Sequence, residues 1–247
     1  MLQRDEERPD PLAVVRAGRF GVQYEPIVDV RTGRVHAYEA LARFHLPDGV
    51  AVPPNVVFDR LQDAPELLVN TELAMKRLQI AHAPGPRVFL NVSASTWALA
   101  GGEPFRSLFL SSRVPVVVEA VECIHPTRAL HGAPMLKALR RAGIPSALDD
   151  LGAENVLVSA EELQLARVLK FDRTVLRTLH VPARVALLEA LLAFARRTRK
   201  PVVAEGVETG RDLAVVRELG FDFAQGELFR DAFQRVMPDG CAPTHAH

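Results

Sequence analysis

Short runs rich in β-branched and aromatic residues alternate with helical stretches along almost the whole chain, and nearly every run ends in an acid or an amide. The strand candidates are Val22–Val30, Val35–Phe44, Arg87–Val92, Val114–Val121, Ser146–Asp149, Arg167–Phe171, Pro201–Ala204 and Phe221–Ala224. Helical spacing of apolar residues marks Pro54–Ala81 (broken near Pro65), Pro126–Ala142, Ala183–Arg199 and Glu208–Leu219. Two of these end in a glycine stop, at Gly143 and Gly220. Arg31-Thr32-Gly33-Arg34 is too short for a helical crossover, so the first two strands should form an antiparallel hairpin. The later pairs have room for helical crossovers and should be parallel. About eight strands with intervening helices in 247 residues predict an α/β fold. The expected form is an irregular (β/α)8 TIM-like barrel with an antiparallel first-strand hairpin.

Residues 1–18 read as a charged leader with a short helix, residues 19–236 as the barrel, and residues 237–247 as a frayed tail. Apolar residues make up 48% of the chain, enough for a sizeable core, and 30 basic residues balance 30 acidic ones. That balance argues against long nucleic acid or an anionic membrane as partner. Cys123 and Cys241 have no metal-ligand spacing and fit a reducing compartment. The start lacks an apolar signal core, and no apolar run is long enough to cross a bilayer. A soluble cytoplasmic protein is expected.

The strand-end groups are Glu39, Asn91, Glu119 with Glu122, Asp149 with Asp150, Lys170 with Asp172, Glu205 with Glu208, and Gln225. In a β/α barrel the C-terminal strand ends converge on one mouth, where active sites sit. A lone acid at a strand end is ordinarily a helix N-cap or a solvated loop residue. Asp149-Asp150 alone could cap a helix, and Lys170 could be a simple ion-pair partner. Recurrence is what this leaves unexplained. Carboxylates gathered at one mouth repel each other unless a cation neutralises them, and oxygen donors without His or thiolate suit Mg²⁺ or Mn²⁺.

The same residues, in the same order, resemble the EAL domain family from about Phe20 to Phe229. Glu39-Ala40-Leu41 is the signature tripeptide, extended by Arg43. Asn91-Val92-Ser93, Glu119-x-x-Glu122, Asp149-Asp150, Lys170-x-Asp172, Ala204-Glu205-Gly206-Val207-Glu208-Thr209 and Gln225-Gly226 follow. The resemblance implies metal-dependent hydrolysis of cyclic di-GMP to linear pGpG, by a homodimer whose interface includes the segment after Asp150. It implies Glu39, Asn91, Glu119 and Asp149 as ligands of one Mg²⁺ or Mn²⁺ ion, and Asp149, Asp150 and Glu205 as ligands of a second. Gln225 would touch the second ion's shell through water. Lys170 would orient the attacking water. Glu205 is open as ligand, general base or both. Arg43 would grip a phosphate oxygen, and Asp172 would orient its neighbours or the ligand. Glu122 would anchor the loop after Asp150, and Glu208 would support the site from behind.

Three places depart from the family pattern. The loop after Asp150 reads Leu151-Gly152-Ala153-Glu154-Asn155-Val156-Leu157, with Glu154 in place of a second glycine and without the usual hydroxyls. Glu25 stands where the family has glutamine, close to the ligand, where it would repel phosphate or accept from a guanine edge. Asp231-Ala232 replaces a proline after Gln225-Gly226. The alternative reading is therefore an EAL domain that binds cyclic di-GMP or a protein partner without turnover.

Overall fold

The computed structural model describes residues 12–46, 48–121, 132–154 and 158–237. A short helix α1 (Leu12–Arg16) leads into strands β1 (Phe20–Asp29), β2 (Val35–His45) and β3 (Ala51–Val52). Helices α2 (Pro54–Leu61) and α3 (Pro65–Ala81) precede β4 (Val88–Ser93), which runs into α4 (Ala94–Leu99) and α5 (Glu103–Leu110). Then come β5 (Val116–Val121), α6 (Gly132–Arg141), β6 (Ser146–Leu151), α7 (Ala160–Leu165), β7 (Val168–Phe171), α8 (Thr174–Arg177) and α9 (Pro182–Thr198). The chain closes with β8 (Val202–Ala204), α10 (Gly210–Leu219), β9 (Phe223–Ala224), a 3-10 turn over Glu227–Ala232 and β10 (Gln234–Val236).

The strand order β1-β9-β8-β7-β6-β5-β4-β2, with β2 returning to β1, closes an eight-stranded barrel. β1 is antiparallel to both β2 and β9, while the steps from β2 through β9 are parallel. The expected hairpin is present. Its turn is closed by Asp29, whose Oδ1 accepts from the amides of Arg31 at 2.9 Å and Thr32 at 2.8 Å, while Gly33 supplies a left-handed φ of 71°. The predicted break near Pro65 separates α2 from α3, since each helix begins with a proline in its first turn, where no amide is missed. The predicted helix over 126–142 is described only as α6; residues 122–131 lie outside the described residues, as do the leader up to residue 11 and the tail from 238. α4, α5, α7 and α8 are short helices of four to eight residues outside the predicted set, although α5 buries Phe105 and Phe109 one turn apart. β10 adds antiparallel to the outer end of β1 through Val22, Gln23 and Tyr24. No helix among the described residues is long and apolar enough to cross a membrane.

Alternation along the strands separates two cores. Outward positions such as Leu90, Val118, Leu148, Leu169 and Ala204 pack against the helices, beside Leu136, Leu139, Leu188, Leu192 and Val216. Inward positions Ile27, Ala37, Phe89, Val117, Ala147, Val168 and Val203, with Phe223 against them, plug the barrel.

Candidate active site

Each strand's next inward residue toward the mouth lies two positions from its plug residue. Because β1 runs the other way, the step is −2 there and +2 elsewhere. The resulting set is Glu25, Glu39, Asn91, Glu119, Asp149, Lys170, Glu205 and Gln225. One apolar layer is thus capped by a wholly polar one. Glu25 and Glu39 are direct partners across β1 and β2.

Lys170 stands at the centre with no exposed surface. Its Nζ lies 2.6 Å from Glu205 Oε1, 2.7 Å from Glu119 Oε1, and 3.1 Å from both Asp149 Oδ1 and Glu39 Oε2. Glu39 is oriented from three sides: Asn91 Nδ2 donates to Oε1 at 2.8 Å, while Gln225 Nε2 at 2.7 Å and Lys170 donate to Oε2. Both oxygens of Glu119 are buried and accept no hydrogen bond from a described residue, Lys170 being close but off the bonding angle. Asp149 Oδ1 is in the same condition.

Asp150 would point away from Asp149 in a regular strand. Here the register with β7 shifts between Leu148 and Leu151, and Asp150 adopts a left-handed φ of 57°. The bulge re-aims its side chain. Two carboxylate triads result, Glu39–Glu119–Asp149 and Asp149–Asp150–Glu205, with oxygens in each lying within 4.8 Å of one another. Asp149 belongs to both.

Five carboxylates therefore face one ammonium. Burial raises the pKa of Glu119, helped by Glu39 and opposed by Lys170, to well above the carboxylate range. Burial does the same to Glu205, again against Lys170. Burial of its carboxylate end, with Asp149 beside it, pushes Asp150 up to about 6, although the residue as a whole is exposed. Burial also acts to raise Glu39, but Lys170, Gln225 and Asn91 outweigh it and hold this group below its ordinary value. Burial disfavours the Lys170 ammonium, yet the surrounding carboxylates hold its pKa well above the usual lysine value. The carboxyl groups with raised pKa values thus stand where a cation would favour their ionised forms.

The sequence profile of the EAL domain matches residues 10–232. The chain belongs to the EAL domain family. Among relatives of this EAL domain, Pseudomonas aeruginosa proteins named Cyclic di-GMP phosphodiesterase NbdA and Cyclic di-GMP phosphodiesterase RocR are 29% and 28% identical, over 92% and 94% of the chain. The chain spans 30% of the former's length and 62% of the latter's. The Bacillus subtilis YkuI protein, solved in complex with c-di-GMP and calcium, superposes with a TM-score of 0.74 at 21% identity, over 90% of this chain and 58% of that one. The FimX EAL domain of Pseudomonas aeruginosa, bound to c-di-GMP, gives 0.67 at 18%, over 88% and 93%. These likenesses establish the shared fold.

The EAL domain gathers Glu39, Asn91, Glu119, Asp149, Asp150, Lys170, Glu205 and Gln225 in one place. Arg43 lies farther along β2, its Nη1 donating to the Ala42 carbonyl at 2.9 Å and its Nη2 standing 3.8 Å from Glu25 Oε1. Asp172 instead closes the turn into α8: one oxygen accepts from both the amide (2.8 Å) and the hydroxyl of Thr174. Glu208 is exposed and pairs with Arg177 at 3.3 Å, outside the carboxylate group. Glu122 lies outside the described residues. Gln23 was not singled out from sequence. Its Nε2 donates to Glu25 at 2.8 Å while its Oε1 accepts from Arg235 at the same distance. Inward alternation on β1 through Ile27, Glu25 and Gln23 was the available signal.

Proposed function

We propose that this EAL domain hydrolyses cyclic di-GMP to linear pGpG with divalent cations held at the barrel mouth. The observation that carries the reading is the pair of carboxylate triads sharing Asp149. The buried oxygens of Glu119 and Asp149 Oδ1, which accept no hydrogen bond from a described residue, would fit a cation, and a set of hard oxygen donors fits Mg²⁺ or Mn²⁺. Glu39, Asn91, Glu119 and Asp149 would hold one ion; Asp149, Asp150 and Glu205 would hold the other. When bound, such ions supply Lewis acidity and make water a nucleophile at neutral pH.

The chain's own groups do the remainder. Asn91 donates its amide N–H to Glu39, so its oxygen is the end that meets a cation. Arg43 presents its guanidinium fork to a phosphate oxygen. Lys170 holds the attacking oxygen and offsets charge that develops on phosphorus. Glu205, beside Lys170 at 2.6 Å, would take the proton that leaves the attacking water and pass it to the departing 3′ oxygen. The new bond joins water oxygen to phosphorus, the P–O3′ bond breaks, and the 3′ oxygen leaves with a proton. Gln225 steadies Glu39, and Glu208, paired with Arg177, would support the site from behind.

We also propose a cytoplasmic setting and a homodimer whose interface includes the segment after Asp150. Incubation with cyclic di-GMP and either Mn²⁺ or Mg²⁺ should yield pGpG, and Glu39→Ala should abolish it. Folded protein that forms no product with either ion refutes hydrolysis. A second reading, binding without turnover, is favoured by Glu25 facing Arg43; calorimetry run beside the hydrolysis assay separates the two.

A further inference from the structure

We infer that Arg184, in the first turn of α9, is a positioning residue that holds Asp150 in place. The inference rests on the metal reading above. Asp150 keeps its carboxylate in the second triad through a left-handed backbone, which is strained for a non-glycine residue. Such a conformation lasts only if the following segment is tied down. Ala153 N bonds back to Asp150 O at 3.1 Å, and Asp172 N bonds to Leu151 O at 3.0 Å. The remaining tie is a side chain: Arg184 Nη1 donates to Gly152 O at 3.1 Å. Among the described residues, it is the one side chain bonded to the backbone of residues 150–154.

The helix behind Arg184 is a firm support, since Leu188, Leu192 and Ala195 of α9 are buried in the core. Beneath the loop, a cavity of only about 20 Å³ is lined by Gly152, Phe171, Val175, Arg184 and Leu188. Gly152 sits close against Val175, so the loop rests on packed side chains, and the guanidinium adds a polar tie to it from α9. Arg184 Nη2 also lies 4.0 Å from Glu154 Oε1, but that glutamate side chain is 73% exposed, so this pair contributes little. The bond to the Gly152 carbonyl is the part that matters. Without it, Asp150 can relax to an ordinary φ and withdraw from Asp149 and Glu205, while Glu39, Glu119 and Asp149 stay where they are.

The test is Mn²⁺ titration calorimetry on wild type, Arg184→Ala, Arg184→Lys and Glu154→Gln, with urea unfolding and amide exchange alongside. Arg184→Ala should weaken the weaker Mn²⁺ step about tenfold or more and spare the tighter one, the range seen when groups that orient ligands are lost. Arg184→Lys should restore part of the loss, and Glu154→Gln should stay within about twofold of wild type. Exchange at the Ala153 amide should quicken in Arg184→Ala at unchanged global stability. The inference is overturned if Arg184→Ala leaves both steps intact, or weakens both together with global stability. A wild type that takes up no Mn²⁺ overturns the metal reading instead; unchanged Ala153 exchange in Arg184→Ala then removes the tie independently.

Discussion

Lys170→Met removes the ammonium at the centre of the carboxylate cluster. The two side chains are close in volume, so packing contributes little to the effect. The ammonium is fully buried and lies 2.6 to 3.1 Å from four carboxylates. At an effective dielectric of about 20, one unit pair about 3 Å apart is worth roughly 5–6 kcal/mol before desolvation. Breaking a buried pair costs about 3–5 kcal/mol after relaxation. The loss is not multiplied by four, because the carboxylates repel one another and burial raises the pKa of Glu119 and Glu205, while that of Glu39 is lowered. Urea unfolding in EDTA should therefore show the variant less stable by about 3–5 kcal/mol. An ion present at a hundred times its Kd adds about 2.7 kcal/mol to a folded state that binds it. The variant lacks the ammonium that repels incoming cations, so it should gain more from Mn²⁺ than wild type does, and the gap should narrow. A loss below about 1 kcal/mol in EDTA, or an equal gap with and without Mn²⁺, would refute the charge reasoning.

Three further outcomes are expected. Glu25→Gln removes a carboxylate 3.8 Å from Arg43 and should tighten cyclic di-GMP binding several-fold, on the order of 1 kcal/mol for a partly exposed pair, read by calorimetry; weaker binding would mean that Glu25 accepts from the ligand. Asp150 is raised from 3.8 to about 6, so in metal-free protein its protonated form favours folding below pH 4, and that contribution is lost as pH rises through 4 to 6. Mn²⁺ competes with the same proton, so affinity for the weaker site should fall about tenfold per pH unit below 6, and a flat profile from pH 5 to 7 would exclude Asp150 as a ligand. Gly226→Ala should cost about 2–4 kcal/mol in urea unfolding: its φ of 151° is essentially reserved for glycine, and a Cβ would stand 2.4 Å from the Val207 carbonyl oxygen. A loss under about 1 kcal/mol would show that this backbone can shift.

Much of the site was legible because barrel strands are read two residues at a time. The apolar runs ending at Glu39, Glu119, Asp149 and Glu205 place their acids on one inner face, and strand polarity places that face at one mouth. Other features were not legible. Gln234–Val236 is too short to carry a pattern, and its pairing with Val22–Tyr24 spans almost the whole chain. Arg184 reads as one more arginine on a helix, and only the packing of α9 brings it to the Gly152 carbonyl.

The sequence by itself determined the alternation of strands and helices, the barrel they close, and the polar ring above its apolar plug. Those follow from local periodicity and from ordered short motifs. Tertiary structure alone decided that Lys170 meets four carboxylates at once, that Asp150 turns left-handed to join Asp149, and that Glu25 faces Arg43. The first depends on strands far apart in the chain that barrel closure brings together, and the other two on side-chain placement and a register shift that no local sequence pattern announces.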